Sequence, residues 1–318
     1  FADPRSGLRE CDESVVLAFD SIVRVSQFVS AHTPEVVLWI GEPPASKVLT
    51  QWVSNLDAFK IHISSTPSVI DPQHSNNLSV NGDVGLMCER LIPLVRASSK
   101  EWLLSWQKAE TAAQKAIAAW TAENFSEPTV ARVLTSSLAV GEQLVISSSM
   151  PIRDVEWFGS VTSGVTVHSN RGANGIDGVV STAVGVALGS GSPTSLLIGD
   201  VALLHDVNGL LALNRRTLDM SIVVTNNDGG SIFSFLPQAE HLDRATFELL
   251  YGTPHGVSFE HVAKTYGLSY FCATDEESLR DALAQSGTKI VEVVLDRTVN
   301  VSQHDELNSS IAAAVIAT

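Results

Sequence analysis

The sequence predicts an α/β chain built on mostly parallel, doubly wound sheets. Short apolar runs of strand length recur along the chain, alternate with helix-length segments, and end in glycine or small polar residues. Alternation of this kind needs crossover connections, which place helices on both faces of a parallel sheet. The 318 residues suggest two domains, and 44% hydrophobic residues with a mean hydropathy of +0.16 argue against a disordered chain.

A helix-like stretch over residues 14–30 comes first. Residues 34–41, PEVVLWIG, form an apolar run closed by glycine, the pattern of a buried parallel strand and its turn. Residues 43–55 read as a helix and 60–64 as a second strand. The Pro-, Asn-, Ser- and Gly-rich segment 65–83 is predicted to be a loop. Residues 85–125 are mostly helical, and Trp102 and Trp106, spaced i,i+4, predict a face packed on a neighbour. At Glu127-Pro128 the pattern restarts with a helix over TVARVLTSSL, a strand over QLVISSS and an exposed SMPIRDVEWF. Three further strands follow at 195–198, 220–225 and 289–295. The domain boundary falls near 110–127, giving a first domain over 1–120 and a second over 121–318. No internal repeat or low-complexity tract stands out.

Composition narrows the function. Lys and Arg number 20 against 35 acids, a formal net charge of −15, and a surface that acidic repels phosphate backbones and anionic membranes. Nucleic acid and membrane are therefore not expected as partners. Cys11, Cys88 and Cys272 are odd in number and scattered, with no CxxC pair, which points to a reducing compartment and against a zinc site. No run of about 18 apolar residues occurs, and there is no basic-then-apolar leader, so neither a span nor secretion is expected. The chain opens on Phe1 and runs quickly into a helix, which reads as an excised or processed product with sequence upstream.

In an open parallel sheet, ligands bind outside the carboxyl ends of the strands. Four polar segments stand there: Ser147 to Arg153 after QLVI, Asn170 to Gly178 after TVHS, Gly199-Asp200 after SLLI, and Asn226 to Gly230 after MSIVVT. Asp200 and Asn227 end successive strands with one helix-sized segment between them, so a right-handed crossover can bring them to one point. A carboxylate, an amide oxygen and a carbonyl of the glycine turn are hard oxygen donors suited to Mg²⁺, which completes its octahedron with water and phosphate oxygens. Asp200 alone reads more readily as a helix cap, and NNDGG as an ordinary loop; both elements at this spacing favour a metal holding a diphosphate.

The segment GDVALLHDVNGLLAL with VVTNNDGGSIFSFLP resembles the diphosphate-binding motif of thiamine diphosphate enzymes. SMPIRDVEWF, HSNRGANGIDGVVSTAVGVALG and NNDGGSIFSFLP together resemble the MenD family, the 2-succinyl-5-enolpyruvyl-6-hydroxy-3-cyclohexene-1-carboxylate (SEPHCHC) synthases. The likeness is strongest to the MenD-like part of the plant multifunctional phylloquinone-biosynthesis protein. GEPPASKVLTQW and DPQHS extend the resemblance over nearly the whole chain.

What the resemblance implies is a thiamine diphosphate-binding fold whose first domain, 1–120, is an incomplete middle domain and whose second, 121–318, binds the diphosphate. The implied reaction is decarboxylation of 2-oxoglutarate on thiamine diphosphate and addition of the succinyl carbanion equivalent to isochorismate. Asp200, Asn227 and the carbonyl of Gly229 would ligate Mg²⁺ or Mn²⁺. Ile176 would lie beneath the bent cofactor. Ser149, Met150, Gly175, Gly199, Val201, Ala202, Gly230 and Ser231 would contact it, and Ile232 and Phe233 would line the reaction chamber. The resemblance further implies a homodimer or homotetramer with shared active sites, and residence in the chloroplast stroma of a plant or otherwise in the cytoplasm.

Arg153 and Arg171 have a physical argument of their own. Dicarboxylate substrates and a diphosphate require a net −15 protein to invert its potential locally, and a guanidinium binds carboxylates bidentately. Both are candidate substrate contacts, with Lys47 as a further one from the first domain. The chain departs from the family in carrying Ser147 and Ser148 where Gly-Asn is common, and Val48 where a basic residue often follows the lysine. The family's activating glutamate, which lies in an N-terminal pyrimidine-binding domain, has no counterpart after Phe1. Two alternatives stay open: another thiamine diphosphate carboligase or decarboxylase, and a non-catalytic diphosphate-binding remnant. His205, Asp206, His255 and His261 read as structural, and Gly185, Gly189 and Gly191 as the end of a helix rather than a dinucleotide loop.

Overall fold

Among the described residues, two all-parallel sheets, of three strands and of six, organise the chain. The computed structural model describes residues 1–9, 12–66, 71, 73–96, 99–214 and 216–318; Cys11, and Pro72 of the DPQHS segment, lie outside them. Cys88 and Cys272 are free thiols.

The first part contains α1 (Phe19–Val23), α2 (Ser26–Ala31), β1 (Val36–Ile40), α3 (Lys47–Asn55), β2 (Phe59–Ser64), β3 (Leu78–Asn81), α4 (Val84–Leu91) and α5 (Glu101–Glu123). Its sheet runs in the order β1-β2-β3. Strand alternation sends Val37 and Trp39 against a cluster containing Phe19, Ile22, Leu49, Val53 and Trp106. The opposite face of β1, with Val36 at 56% and Leu38 and Ile40 each at 46% relative exposure, is bare. Three sequence expectations change here. The 14–30 helix begins only at Phe19 and breaks between Val23 and Ser26. The predicted loop 65–83 contains β3, a four-residue edge strand too short to show a hydrophobic pattern. Of the two tryptophans, Trp106 is buried but Trp102 is 48% exposed, because the packed stripe of α5 runs through 106, 109, 113, 117 and 121.

The second part runs α6 (Glu127–Ser137), β4 (Gln143–Ile146), α7 (Met150–Phe158), β5 (Thr166–Ser169), α8 (Val179–Ser190), β6 (Thr194–Gly199), α9 (Asp200–His205), β7 (Met220–Asn226), α10 (Gln238–His241), α11 (Arg244–Phe247), α12 (Phe259–Tyr266), β8 (Ser269–Ala273), α13 (Glu276–Ala284), β9 (Lys289–Val294) and α14 (Asn300–Ile316). The strand order is β5-β4-β6-β7-β9-β8. All seven residues of β7 are buried, as expected of a central strand covered on both sides. Leu196, Ile198, Ile222, Val224 and Ile290 pack under α8 and α12, whereas Leu144, Ile146, Leu197, Val223, Val291 and Val293 pack under α6, α7 and α13. Each such side chain contributes roughly 1.5–3 kcal/mol by burial.

The segment SMPIRDVEWF, expected to be exposed, forms α7, and seven of its residues are buried. Its charged side chains resemble a solvated face, but Asp154 and Glu156 are buried, facing His304 and the Ala45 N–H. The edge strand β8 also escaped detection, since its apolar run, Tyr270 to Ala273, is only four residues long. Finally, α14 returns from the six-stranded sheet to lay Leu307, Ile311 and Val315 in the same cluster as α1 and α5. No helix among the described residues is long and apolar enough to cross a membrane.

Candidate functional site

Because the six strands are parallel, their carboxyl ends share one edge. Four adjacent strands, β5, β4, β6 and β7, carry the four polar segments picked out in the sequence. The chain leaves β4 for β5 on one side and returns to β6 on the other, so the switch point, the place where open parallel sheets bind ligands, lies between β4 and β6.

Asp200 is 2% exposed. Its Oδ1 accepts the Val201 N–H at 2.6 Å and its Oδ2 the Gly229 N–H at 2.9 Å, which joins the end of β6 to the turn after β7. Burial pushes the Asp200 carboxyl above its ordinary range, against these N–H groups and His255, so a cation here would relieve an unfavourable buried charge. Asn227 Nδ2 donates to Glu127 Oε1 at 2.7 Å, whereas Asn227 Oδ1 is buried without a partner. Gly229 has φ +138°, and a Cβ there would lie 1.9 Å from the Gly252 carbonyl oxygen, so only glycine fits the turn. Among the described residues no three His, Cys, Asp or Glu side chains gather into a metal site. The donors present are instead one carboxylate, one unpaired amide oxygen and a turn carbonyl, a set that suits Mg²⁺ bound partly by water and phosphate.

The arginines come from the neighbouring strand ends. Arg153, in α7, donates from Nη1 to the Ser149 carbonyl at 2.5 Å. Ser149 itself sits at φ +77°, a left-handed conformation that costs energy for a residue other than glycine. Burial lowers the Arg171 guanidinium, and the positive charges of Arg5 and Arg153 lower it further, so three guanidiniums share one neighbourhood. Arg171 Nε is buried with no protein partner. Lys47 opens α3 and is exposed. The loop before it is fastened to α7 by the Ala45 N–H, which donates to Glu156 Oε2 at 2.7 Å, and to the N-terminal segment by Arg5 Nη2, which donates to the Pro43 carbonyl at 3.0 Å.

Met150, Ala202 and Ser231 are buried, and Gly199, Val201 and Gly230 are half-buried at the strand ends. Ile176 packs on the α8 side of the core. Gly175 lies where a Cβ would fall 2.2 Å from Asp177 Oδ1. Ile232 and Phe233 follow in the Ser231–Phe235 turn, with the Phe233 ring edge-on to Tyr251 at 5.4 Å.

Two residues at this edge were not singled out in the sequence as site residues. His255, read as structural, places Nε2 3.2 Å from Asp200 Oδ2, while its Nδ1 accepts the Val257 N–H at 3.0 Å. No spacing signal marks it, because it arrives from the far side of α11. Glu127, noted only as the start of a helix, is buried against Asn227 from 100 residues away. Burial, reinforced by Asp154 and opposed by His304, pushes its carboxyl up to about 7. Asp206, expected to cap or pair locally, caps α8 instead, taking the Ser181 N–H at 2.7 Å.

Glu156 offers a measurable consequence. Burial, with the nearby Asp3 charge, pushes its carboxyl up to about 8 from an ordinary value of 4.5. A raised acid binds a proton more readily in the folded state, so its stabilisation is complete below about pH 4.5 and is lost as pH rises to about 8. The expected result is a folding stability that falls across this window by at most about 1.4 kcal/mol per pH unit. Glu156→Gln should flatten the fall, as read from urea midpoints at pH 5 and pH 8; an unchanged pH slope in the variant contradicts it.

Residues 159–296 match the family profile described as "Thiamine pyrophosphate enzyme, C-terminal TPP binding domain". The chain is 39% identical over 304 residues to 2-succinyl-5-enolpyruvyl-6-hydroxy-3-cyclohexene-1-carboxylate synthase of Myxococcus xanthus, covering 93% of this chain and 52% of that protein. It is 40% identical over 317 residues to the enzyme of the same name from Chloroflexus aurantiacus (95% and 54%) and 35% identical over 317 residues to that of Bacillus velezensis (96% and 54%). The chain thus spans about half the length of the curated relatives it matches. With its parallel sheet and the acid and amide at adjacent strand ends, the chain is similar over nearly its whole length to part of the SEPHCHC synthases, and its residues 159–296 match the C-terminal TPP-binding domain of thiamine pyrophosphate enzymes.

Proposed function

We propose that this chain is the cofactor-binding part of a thiamine diphosphate- and Mg²⁺-dependent SEPHCHC synthase, which decarboxylates 2-oxoglutarate and adds the succinyl unit to isochorismate in menaquinone or phylloquinone formation. The observation that carries this reading is the tie between Asp200 and the Gly229 turn, with the unpaired Asn227 Oδ1 beside it. Asp200, Asn227 and the Gly229 carbonyl would hold Mg²⁺ or Mn²⁺ and through it the diphosphate. When bound, thiamine diphosphate supplies a carbon nucleophile and an electron sink for loss of CO₂ from a 2-oxo acid.

The chain's own residues do the rest. Arg153 and Arg171 hold the carboxylates of the dicarboxylic substrates, and Lys47 meets isochorismate from the first domain. Ile176 supports the cofactor's bend, and Ile232 and Phe233 exclude water from the chamber. In this reading a pyrimidine domain bearing the activating glutamate would come from sequence outside this chain, in keeping with the greater length of the relatives. The bare face of the three-stranded sheet supports residues 1–120 being part of a larger middle domain. A homodimer or homotetramer in the stroma or cytoplasm follows from the same resemblance.

The test supplies the missing half, as one polypeptide or as a second, and follows product from 2-oxoglutarate and isochorismate with thiamine diphosphate and Mg²⁺. SEPHCHC should form; with the pyrimidine half present, absence of metal-dependent cofactor binding overturns the assignment. In that enzyme Arg153→Ala should lower kcat/KM for 2-oxoglutarate roughly 10- to 100-fold, the worth of a charge-assisted hydrogen bond, with the cofactor still bound. Loss of cofactor to the same degree as in Asp200→Ala contradicts that division of roles.

A further inference from the structure

A side-chain amide presents either an oxygen or an NH₂ group to a metal, and only the oxygen is a ligand. Asn227 is therefore useful at the end of β7 in one of its two orientations. The structure fixes that orientation from behind. Glu127, at the start of α6, is 3% exposed and faces the Asn227 Nδ2 at 2.7 Å. The Glu127 Oε1 accepts from Nδ2, so it holds the NH₂ edge and leaves Oδ1 buried and unpaired.

Glu127 is itself held. Ser231 Oγ donates to the same Oε1 at 3.4 Å, and Asn300 Nδ2 donates to Ser231 Oγ at 3.3 Å. The start of α6, the end of β7, the turn after it and the first residue of α14 thus meet at one carboxylate. Pro128, next in the chain, sets the backbone at the helix start, where its missing N–H costs nothing.

We propose that Glu127 is a positioning residue of the metal site, locking the Asn227 amide with its oxygen toward the strand-end ligands. The inference rests on reading Asp200, Asn227 and Gly229 as that site. Partners that orient metal ligands typically contribute 10- to 100-fold to metal affinity.

The experiment titrates Mn²⁺ by electron paramagnetic resonance into the complete enzyme in the presence of thiamine diphosphate. Glu127→Leu should weaken Mn²⁺ at least tenfold, whereas Glu127→Gln, which keeps an acceptor for Nδ2, should stay within about threefold. A folded Glu127→Leu that binds Mn²⁺ as the parent does overturns the proposal. If Glu127→Leu does not fold, the exchange of partners decides. Asn227→Asp sets two carboxylates against each other and should bind poorly, and adding Glu127→Gln should restore binding by supplying an NH₂ group to the new carboxylate. Equal affinity with and without Glu127→Gln in that background overturns the proposal as well. Asp200→Ala separates the two failures: if it retains Mn²⁺, the site reading falls; if it loses Mn²⁺ while Glu127→Leu does not, only the role of Glu127 falls.

Discussion

Asp200→Ala is expected to abolish Mg²⁺-dependent binding of thiamine diphosphate by the complete enzyme, with affinity falling well beyond the roughly 10- to 100-fold typical of a lost indirect partner. Two losses combine. The first is the carboxylate that would face the dication. The second is structural, because Asp200 Oδ2 accepts the Gly229 N–H, and that buried donor would be left unpaired at a cost of about 1–3 kcal/mol. The turn carrying the second and third donors would then relax together with the loss of the first. Asp200→Asn separates the effects: it keeps an oxygen for one N–H but removes the charge and sets an NH₂ group near the other. It should bind cofactor weakly at high Mg²⁺, whereas Asp200→Ala should not bind at all. Calorimetric titration and the cofactor-induced rise in Tm both read this, since a ligand stabilises the state it binds. An Asp200→Ala enzyme that titrates like its parent would falsify the site.

The strand ends were legible in sequence because a parallel strand buried on both faces is a continuous apolar run, and whatever polar residue follows it stands at the ligand edge. Asp200, Asn227 and Ser149 are legible that way, whereas the Asn170 to Gly178 segment follows β5, a half-buried edge strand. The edge strands β3 and β8 are not, since they bury too little to need a long apolar run. α7 was misjudged for a different reason. Its Arg153, Asp154 and Glu156 look like a solvated face, yet Asp154 and Glu156 are buried, with partners that arrive from residues 304 and 45. Glu127 and His255 share that obstacle: each reaches the site through tertiary packing, and a single sequence carries no record of which distant side chain turns inward.

The Asp154–His304 pair is where that packing is expected to matter most for stability. His304 Nε2 lies 2.8 Å from Asp154 Oδ1, and both residues are at most 2% exposed. The other ring nitrogen is held by the Asn300 carbonyl at 2.8 Å, and the Trp157, Phe158 and Phe235 rings surround the imidazole. Removing one partner strands the other in an apolar setting, so Asp154→Ala or His304→Ala should each cost about 3–5 kcal/mol in urea unfolding of the 318-residue chain. The double variant should cost clearly less than the sum, because no lone charge remains; strict additivity would count against a coupled pair. A pH signature accompanies this. Burial raises the Asp154 carboxyl despite His304, and for His304, where burial opposes charging, the Asp154 charge and hydrogen bond still raise the imidazole. Both shifts mean that the folded state holds protons more tightly, so the stabilisation is present at acidic pH and is lost as pH rises through the folded values. The double variant should lose that slope while keeping the one assigned to Glu156. The pair also bears on the proposed function, because Asp154 follows Arg153 directly and Asn300 reaches Ser231 beside the turn proposed to hold the metal. A chain weakened here should bind cofactor less tightly even with every proposed ligand intact.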